Sequence, residues 1–300
     1  MIDTDTAATT TVTRAGLPNS ANYPMPTADV LPAAAVDWTI EPGRAALLIH
    51  DMQNHFLAPF SSAAEPLGAL LRHAVALRDA AARSGVPVIY TAQPGGPDPR
   101  DRALLVDFWG AGPQIGSPVE ITPELTPQAG DIVLTKWRYS AFQRTPLADV
   151  LRELGRDQLV VTGIYAHIGC LLTASEAFMR DVRAFVVADA VADFSLDDHL
   201  LALRYVARRC GRVVTTEHVL DALSTVTATE LSWNTDQLQR RVGEMLGEPV
   251  DLDDDLIEVG LDSVSVMHLV EELRDDGYEL TFAQLAETPT VRAWGALLER

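Results

Sequence analysis

The sequence predicts two domains of different class: an α/β domain built on a doubly wound parallel sheet of about six strands, then an all-α bundle of four helices. Two observations lead to this prediction. Six short runs rich in Val, Ile and Leu alternate with helical patterns, and no such run follows Trp233. Continuous apolar runs are typical of parallel strands that are buried on both faces, with helices as the crossovers between them.

The six predicted strands are short and largely apolar. Their sequences are AALLIHD (45–51), VPVIYTAQ (86–93), DIVLTK (131–136), QLVVTG (158–163), RAFVVAD (183–189) and GRVVTTE (211–217). In doubly wound sheets, ligands bind beyond the carboxyl ends of the strands. The positions of interest are therefore those at or after strand ends: Asp51, Gln93, Lys136, the segment after Gly163, and Asp189.

The C-terminal part differs from the rest of the chain in charge and in periodicity. Residues 230–300 hold 17 acidic against 5 basic residues, whereas residues 1–229 hold 25 against 18. Amphipathic patterns predict four helices, at about 235–247, 263–274, 281–287 and 290–299. Prolines between positions 18 and 32 favour an extended N-terminal segment rather than a packed element. We therefore expect an arm (1–35), an α/β domain (36–223), a linker (224–234) and a helical bundle (235–300).

Composition and charge exclude several classes of function. The 300 residues carry a formal net charge of −19, from 42 acidic and 23 basic residues, and no basic stripe, so nucleic acid is not an expected partner. The two cysteines, Cys170 and Cys210, form no CxxC pair. The N-terminus has no apolar signal region, and no apolar run reaches the roughly 18 residues of a membrane span. We expect a cytoplasmic protein without membrane contact.

Two charged residues at predicted strand ends are candidates for chemistry. Lys136 is the only lysine of the chain and follows the third strand. An ammonium is a compact charge whose pKa adjusts to its surroundings, although an ordinary surface lysine is the alternative. Asp51 ends the first strand after an apolar run, where poor solvation raises the pKa of a carboxyl group unless a cation compensates. The alternative for Asp51 is a turn or capping residue.

Four segments carry a resemblance to a known family. LLIHDMQNHF, YTAQPGGPDPRDRALLVDFWGAG, LTKWRYSAF and GIYAHIGCLLTASEAFMRD resemble, in order and spacing, the isochorismatase family of the cysteine-hydrolase superfamily, over about residues 36–220. The superfamily uses an Asp, Lys, Cys triad, of which Asp51 and Lys136 are matched. The position of the cysteine is Gly169, and Cys170, one residue on, lies about 100° around a helix and points elsewhere. This departure is the mark of the isochorismatase branch.

The resemblance implies hydrolysis of the vinyl ether of isochorismate, which needs a proton donor and no enzyme nucleophile. Our hypothesis is that Asp51, kept protonated by a dry site, is the general acid towards the enolpyruvyl methylene, and that Lys136 and Gln93 position it and the substrate. The Lys136 ammonium by itself lowers the pKa of Asp51, so desolvation, a hydrogen bond or the carboxylates of the substrate must offset it.

The resemblance also implies a set of substrate-binding residues. Arg102 pairs with a substrate carboxylate through its bidentate fork, and three aromatic residues wall the pocket: Phe56, Trp109 and Tyr165. For each aromatic residue the alternative is plain core packing. His50 and His55 flank Asp51, but the metal-binding cluster of the related nicotinamidases is missing, so we expect no catalytic metal. His167 is interpreted as a satisfied polar residue in a turn, and three acids as turn or helix caps: Asp189, Asp193 and Asp197.

The C-terminal stretch DDDLIEVGLDSVSVMHLVEELR resembles the acyl and aryl carrier proteins, whose G-[LI]-D-S motif is matched at 260–263. The resemblance implies that Ser263 carries 4'-phosphopantetheine, at a helix N-terminus that favours an attached phosphodiester; a simple N-cap serine is the alternative. Four positions are expected to face the bundle core: Val266, Leu269, Val270 and Leu273. Val264 and Met267 are expected to form a partner-docking surface, with packing against the adjacent loop as the alternative.

The combination resembles the bifunctional isochorismatase and aryl carrier proteins of catecholate siderophore biosynthesis. It implies release of pyruvate from isochorismate, carriage of an aryl group such as 2,3-dihydroxybenzoyl, and a homo-oligomer, a dimer. The implied partners are a phosphopantetheinyl transferase, an aryl-AMP ligase and a condensation domain of a nonribosomal peptide synthetase. Three alternatives stay open: hydrolysis of 2-amino-2-deoxyisochorismate in an anthranilate-type or phenazine-type pathway, a catalytically silent docking platform, and a Cys170-dependent amidohydrolase.

Overall fold

The computed structural model describes residues 16–298 apart from 19, 21, 62–64, 230–232, 276–277 and 279. The chain divides into two compact units, Met1–Ser224 and Thr225–Arg300. Apolar side chains pack into two core clusters in the first unit and into a third cluster in the second.

The first unit is built on a parallel sheet of six strands, which confirms the predicted fold class. The strands are β1 (Ala45–His50), β2 (Val88–Ala92), β3 (Ile132–Thr135), β4 (Gln158–Ile164), β5 (Arg183–Ala192) and β6 (Gly211–Val214). They lie in the order β3-β2-β1-β4-β5-β6, and every adjacent pair is parallel. The order reverses direction between β1 and β4, so a crevice forms beyond the carboxyl ends of these two strands.

Helices cover both faces of the sheet, which explains the apolar character of its central strands. All residues of β1 and β4 are buried, whereas Val133 in the edge strand β3 is 51% exposed. The helices are α1 (Asn54–Leu57), α2 (Leu67–Arg83), α3 (Pro99–Arg102), α4 (Leu105–Trp109), α5 (Leu147–Glu153), α6 (Leu171–Met179), α7 (Leu196–Arg209) and α8 (Thr216–Thr229). Short 3₁₀ turns lie at Ala28–Val30, Pro42–Arg44, Ser117–Val119 and Pro123–Leu125, and a π-helical turn, Ala166–Cys170, precedes α6.

Two predictions about the ends of the first unit need correction. The N-terminal arm is extended, but its described part is packed: Tyr23 is 6% exposed, and its hydroxyl accepts a hydrogen bond from the Asp193 N–H at 2.8 Å and lies 3.1 Å from His199 Nδ1. Prolines keep the backbone extended without preventing its apolar side chains from packing. The predicted linker over 224–234 begins as helix, because α8 continues to Thr229, and residues 230–232 lie outside the described residues.

The second unit is helical, at the positions that the amphipathic patterns predict. Its helices are α9 (Thr235–Leu246), α10 (Ser263–Asp275), α11 (Phe282–Glu287) and α12 (Val291–Leu298). Capping boxes begin α9 at Asn234 and α11 at Thr281. The four predicted core positions of α10 are all buried: Val266, Leu269, Val270 and Leu273. Among the described residues of both units, no helix is long and apolar enough to span a membrane.

Candidate active site

A pocket lies beyond the carboxyl ends of the strands. All eight residues expected at the active site line it: Asp51, Phe56, Gln93, Arg102, Trp109, Lys136, Tyr165 and Gly169. Six residues that the sequence did not assign to a pocket line it as well: Leu17, His55, Leu105, Tyr139, Ile164 and Ile168. The fold therefore brings residues from the N-terminal arm and from five later segments to one crevice.

The centre of the pocket is a buried ion pair between Asp51 and Lys136. Lys136 Nζ donates to Asp51 Oδ2 at 2.7 Å, and the Thr91 hydroxyl donates to Asp51 Oδ1 at 2.7 Å. The three residues lie at the ends of β1, β2 and β3, which are neighbours in the sheet, so strand pairing itself sets these distances. Asp51 is 5% and Lys136 2% exposed.

The environment of Asp51 corrects the hypothesis that a dry site keeps this residue protonated. Burial by itself raises the pKa of the carboxyl group, but the charge of Lys136, the neighbouring His50 and the hydrogen bonds from Lys136 and Thr91 together bring the pKa below its ordinary value. Without substrate, Asp51 is therefore ionised at neutral pH and its proton must be acquired later.

Gly169 lines the same pocket and lies in the π-helical turn before α6. Its neighbour Cys170 is fully buried, belongs to the core between the sheet and its covering helices, and does not line the pocket. Burial raises the pKa of the Cys170 thiol well above its ordinary value, which keeps the sulfur protonated and weakly nucleophilic. The geometry argues against a Cys170-dependent amidohydrolase.

Arg102 supplies a second buried positive charge. It is 4% exposed; its Nε donates to the Gly110 carbonyl at 2.5 Å and its Nη1 to Gln93 Oε1 at 3.1 Å. Among the described residues, no carboxylate lies within 4.0 Å of its guanidinium group, so its charge is available to an anionic ligand. Gln93 was expected to position Asp51, but its side chain contacts Arg102 instead, and Gln53 holds its backbone N–H at 2.7 Å.

Aromatic side chains form the apolar wall of the pocket. Tyr165 donates its hydroxyl to the Phe56 carbonyl at 2.6 Å and stacks on Phe194, with ring centroids 4.0 Å apart. Trp109 also stacks on Phe194, with ring centroids 6.3 Å apart, and it donates its Nε1–H to the Tyr139 hydroxyl at 2.7 Å. These hydrogen bonds hold the rings of Tyr165 and Trp109 in place.

Sequence reasoning missed residues that contribute to this wall and to the charge of the pocket. His55 was weighed only as a metal ligand; it lines the pocket, and burial and the charge of Arg102 lower its pKa. Tyr139 lies within the segment LTKWRYSAF that carried the family resemblance, so it could have been found. Leu17 and Phe194 had no local signal, because their positions depend on contacts between distant parts of the chain.

The other polar residues that drew attention lie outside the pocket. His167 Nδ1 lies 2.8 Å from Asp193 Oδ2, and Asp193 raises the pKa of His167. These two residues and Asp198 lie close enough to hold a metal ion, but none of them lines the pocket. Asp189 accepts hydrogen bonds from the backbone N–H and hydroxyl of Thr216 at 2.7 and 2.9 Å, and so caps the start of α8.

In the second unit, Ser263 is exposed and is the first residue of α10. The capping function belongs to Asp262, whose Oδ1 accepts from the Ser265 N–H at 2.8 Å, which disfavours the reading of Ser263 as a mere N-cap. An exposed hydroxyl at a helix N-terminus fits a covalently attached phosphodiester. Val264 and Met267 are 63% and 55% exposed, so neither is buried against the adjacent loop.

Comparison with known proteins gives a family match for each of the two units. Residues 45–218 match the family described as Isochorismatase domain, and residues 236–298 match the one described as Phosphopantetheine attachment site. An isochorismatase of Bacillus subtilis (strain 168) is 50% identical over 290 residues, which cover 92% of this chain and 93% of that protein. Enterobactin synthase component B of Escherichia coli (strain K12) is 46% identical over 286 residues, which cover 95% of this chain and 98% of that protein.

Solved structures agree with the sequence relatives. A cysteine hydrolase from Pseudomonas syringae pv. phaseolicola 1448A superposes with a TM-score of 0.58 at 26% identity, over 66% of this chain and 99% of that one. The α/β unit thus has the fold of enzymes that include cysteine hydrolases, although its own cysteines lie outside the pocket. Since the two sequence relatives are matched along almost their whole length, this chain belongs to the isochorismatase family and bears a phosphopantetheine attachment domain at its C-terminal end.

Proposed function

We propose that the α/β unit converts isochorismate and water into 2,3-dihydro-2,3-dihydroxybenzoate and pyruvate. The observation that carries this proposal is the buried Asp51–Lys136 pair in a pocket whose nucleophile position is Gly169. A vinyl ether needs a proton on its terminal carbon and then water, but no attack by the enzyme. This arrangement holds a carboxyl group that can take up a proton and transfer it, and it omits the nucleophile.

The reaction divides into protonation, hydration and collapse. Protonation of the enolpyruvyl methylene gives an oxocarbenium ion. Water adds to the neighbouring carbon that carries the ether oxygen and loses a proton to give a hemiketal. The hemiketal C–O bond to that ether oxygen then breaks, the oxygen takes up a proton and stays on the carbon ring, and the hemiketal hydroxyl loses its proton as it becomes the ketone of pyruvate. Asp51 is the group that transfers the proton. The carboxylates of the substrate bring negative charge and displace water, and both effects raise the pKa of Asp51. Lys136, at 2.7 Å, holds the carboxyl group in place and stabilises the carboxylate that remains.

The remaining pocket residues bind and shield the substrate. Arg102 has a guanidinium group without an acidic partner among the described residues, so it is the partner of a substrate carboxylate. Gln93 orients that guanidinium by accepting from its Nη1. Phe56, Trp109 and Tyr165 give an apolar wall against which the carbon skeleton of the substrate packs.

The direct experiment is incubation of the purified chain with isochorismate, with its 2-amino analogue and with chorismate, while pyruvate is followed. We expect pyruvate from isochorismate and a higher kcat/KM for it than for the analogue. A higher kcat/KM for 2-amino-2-deoxyisochorismate would move the function to an anthranilate-type or phenazine-type pathway. No pyruvate from any of the three would leave the unit as a docking platform.

For the second unit we propose attachment of 4'-phosphopantetheine to Ser263. The group supplies a thiol on a long arm, on which an aryl group, 2,3-dihydroxybenzoyl, is carried as a thioester. The exposure of Ser263 at the start of α10 supports this assignment. The intact mass of the chain after treatment with coenzyme A and a phosphopantetheinyl transferase tests it independently of pyruvate release.

The partners that we propose follow from a carrier domain in nonribosomal synthesis, and the relative named Enterobactin synthase component B supports siderophore assembly as the setting. They are a phosphopantetheinyl transferase, an aryl-AMP ligase and a condensation domain of a nonribosomal peptide synthetase. The acidic charge of the second unit favours encounter with a basic transferase surface.

Val264 and Met267 form the proposed docking surface beside Ser263. Met267→Glu places a charge on this apolar surface, so we expect slower aryl transfer to the condensation domain and unchanged modification of Ser263. Loss of helical circular dichroism in this variant would instead assign Met267 to the core.

We also propose a dimer and a cytoplasmic location. A groove on the α/β unit is lined by exposed apolar side chains, including Leu104 at 76%, Phe108 at 68% and Met179 at 73% exposure, which supports burial against a second copy. The two cysteines are free, in keeping with a reducing compartment. Sedimentation of the purified chain tests the oligomer, and a monomer at micromolar concentration contradicts it.

A further inference from the structure

The imidazole of His50 fills the space beside Gly169. His50 is the last residue of β1 and is fully buried. A Cβ atom built on Gly169 lies 2.1 Å from His50 Cε1 and 2.9 Å from both ring nitrogens. No pair of non-bonded carbons tolerates 2.1 Å, so any side chain at position 169 requires the histidine ring to move.

The ring is held in place, because both of its nitrogens are engaged in hydrogen bonds. Nδ1 lies 2.9 Å from the Ile164 carbonyl, which only accepts, so Nδ1 carries the proton. Nε2 then accepts from the Thr173 hydroxyl at 3.3 Å, and that hydroxyl accepts from the Ala141 N–H at 2.9 Å. Burial lowers the pKa of His50 to about 4, so the ring is neutral at pH 7 and this chain of hydrogen bonds is intact.

We propose that His50 is a specificity-determining residue, which closes the nucleophile position of the site by occupying the volume that a side chain at position 169 needs. A cysteine is then missing at this position for two reasons: glycine replaces it, and the packing of the His50 ring leaves no volume for its side chain. A site that keeps Asp51 and Lys136 is thereby confined to chemistry that needs no enzyme nucleophile. Residues 50 and 169 are coupled, and a thiol is accepted at 169 only when the imidazole is absent.

The first test is a thermodynamic cycle on the full chain. Gly169→Ala lowers Tm by about 5 °C or more, although Gly→Ala in a helix is ordinarily stabilising. In the His50→Ala background the same substitution costs little or nothing. Gly163→Ala is the matched control, because a Cβ at Gly163 meets the backbone of His50, with its carbonyl oxygen 2.2 Å away. His50→Ala does not relieve that clash.

The second test is the reactivity of an introduced thiol, which a purely structural role of His50 does not change. His50→Ala with Gly169→Cys places a thiol in the pocket near Lys136, where a lowered thiol pKa favours the thiolate. Its sulfur attacks iodoacetamide, a carbon–sulfur bond forms and iodide leaves. Alkylation at position 169, measured by peptide mass, is at least about tenfold faster than in Gly169→Cys alone. Cys170 and Cys210 are buried, so their background labelling is low.

Three results overturn the proposal. The first is a Gly169→Cys variant with the wild-type Tm whose thiol is alkylated as fast as that of the double variant. The second is a Gly169→Ala substitution that costs the same Tm with and without the His50 ring. The third is a rescue of Gly163→Ala by His50→Ala equal to that of Gly169→Ala, since general loosening of the site, rather than removal of a specific clash, would then explain both.

Discussion

The two proposed functional sites of this chain differ in how far their reactive groups are exposed to water. At the first, two opposite charges, Asp51 and Lys136, are withdrawn from water and fixed by three neighbouring strands. At the second, the proposed attachment residue Ser263 is an exposed, neutral hydroxyl on a small helical unit, to which the reactive group would be added afterwards. A buried ion pair is costly to disturb because the partner left behind is an unpaired buried charge, whereas an exposed serine is replaced without penalty to the fold. The two sites are therefore expected to respond to substitution independently.

The largest effect is expected from Ser263→Ala. The alanine offers no oxygen to modify, so the mass increase after treatment with coenzyme A and a transferase disappears completely. Because the hydrolase site is a separate set of residues, pyruvate release stays at the wild-type rate. Residual modification would place the attachment elsewhere, and Ser265, two residues further along α10, is the residue that peptide mapping would examine.

Asp51→Asn is the corresponding test of the buried site. The amide cannot deliver the proton and leaves Lys136 without its counterion, so we expect kcat for pyruvate release to fall by about 10²–10⁴-fold. Modification of Ser263 in the same variant serves as the control for a folded chain, together with circular dichroism. Near-native pyruvate release from a folded Asp51→Asn variant contradicts the role of Asp51 as proton donor.

Arg102→Lys separates binding from proton transfer within the first site. Lysine keeps the charge but loses the bidentate fork and the bond to the Gly110 carbonyl, so we expect KM to rise by roughly tenfold with a smaller change in kcat. Arg100→Lys is the matched control, because Arg100 is two residues away, exposed and paired with Asp98. A KM change of equal size in both variants would show that Arg102 does not contact the substrate.

The smallest effect that we expect is a difference between the two units in how acid changes their free energy of unfolding. Burial lowers the pKa of both His50 and His199 to about 4, against 6.5 for the unfolded chain. Protons therefore bind preferentially to the unfolded state, and stability is lost as pH falls from about 6.5 towards 4, by at most about 3 kcal/mol per histidine. His167, whose pKa Asp193 raises, contributes with the opposite sign. His268, the histidine of the second unit, is exposed.

Urea unfolding at pH 7 and pH 5, followed separately for each unit, measures this difference. We expect the α/β unit to lose stability at pH 5 and the helical unit to change less. His199→Gln keeps a polar side chain without a proton-binding nitrogen and should make the pH dependence of the α/β unit shallower. An equal pH dependence in wild type and variant would contradict the role of His199.

Periodicity was sufficient to predict most of the fold. The strands and the four C-terminal helices were predicted to within a few residues, because their patterns arise from which faces are buried. The packing of the N-terminal arm was not predictable, since Tyr23 is held by Asp193 and His199, about 170 residues further along the chain. Local composition carries no information about such a contact.

In the active site, too, some features were predictable from the sequence and others were not. The rule that ligands bind at strand ends brought Asp51 and Lys136 together, and the family resemblance supplied Arg102 and the aromatic residues. The protonation state of Asp51 was predicted wrongly, because it depends on the balance between desolvation and the charge of Lys136 at 2.7 Å. The position of the His50 ring against Gly169 could not be derived from the sequence, which gives no distances between the end of β1 and the turn after β4.

The burial of Lys136 has a practical use. This residue is the only lysine of the chain, and its side chain is 2% exposed. An amine-reactive dye can reach that ammonium only when the crevice opens or when the ion pair with Asp51 breaks. The rate at which the dye labels Lys136, measured by peptide mass, therefore reports how often the pocket opens. A bound ligand should lower this rate.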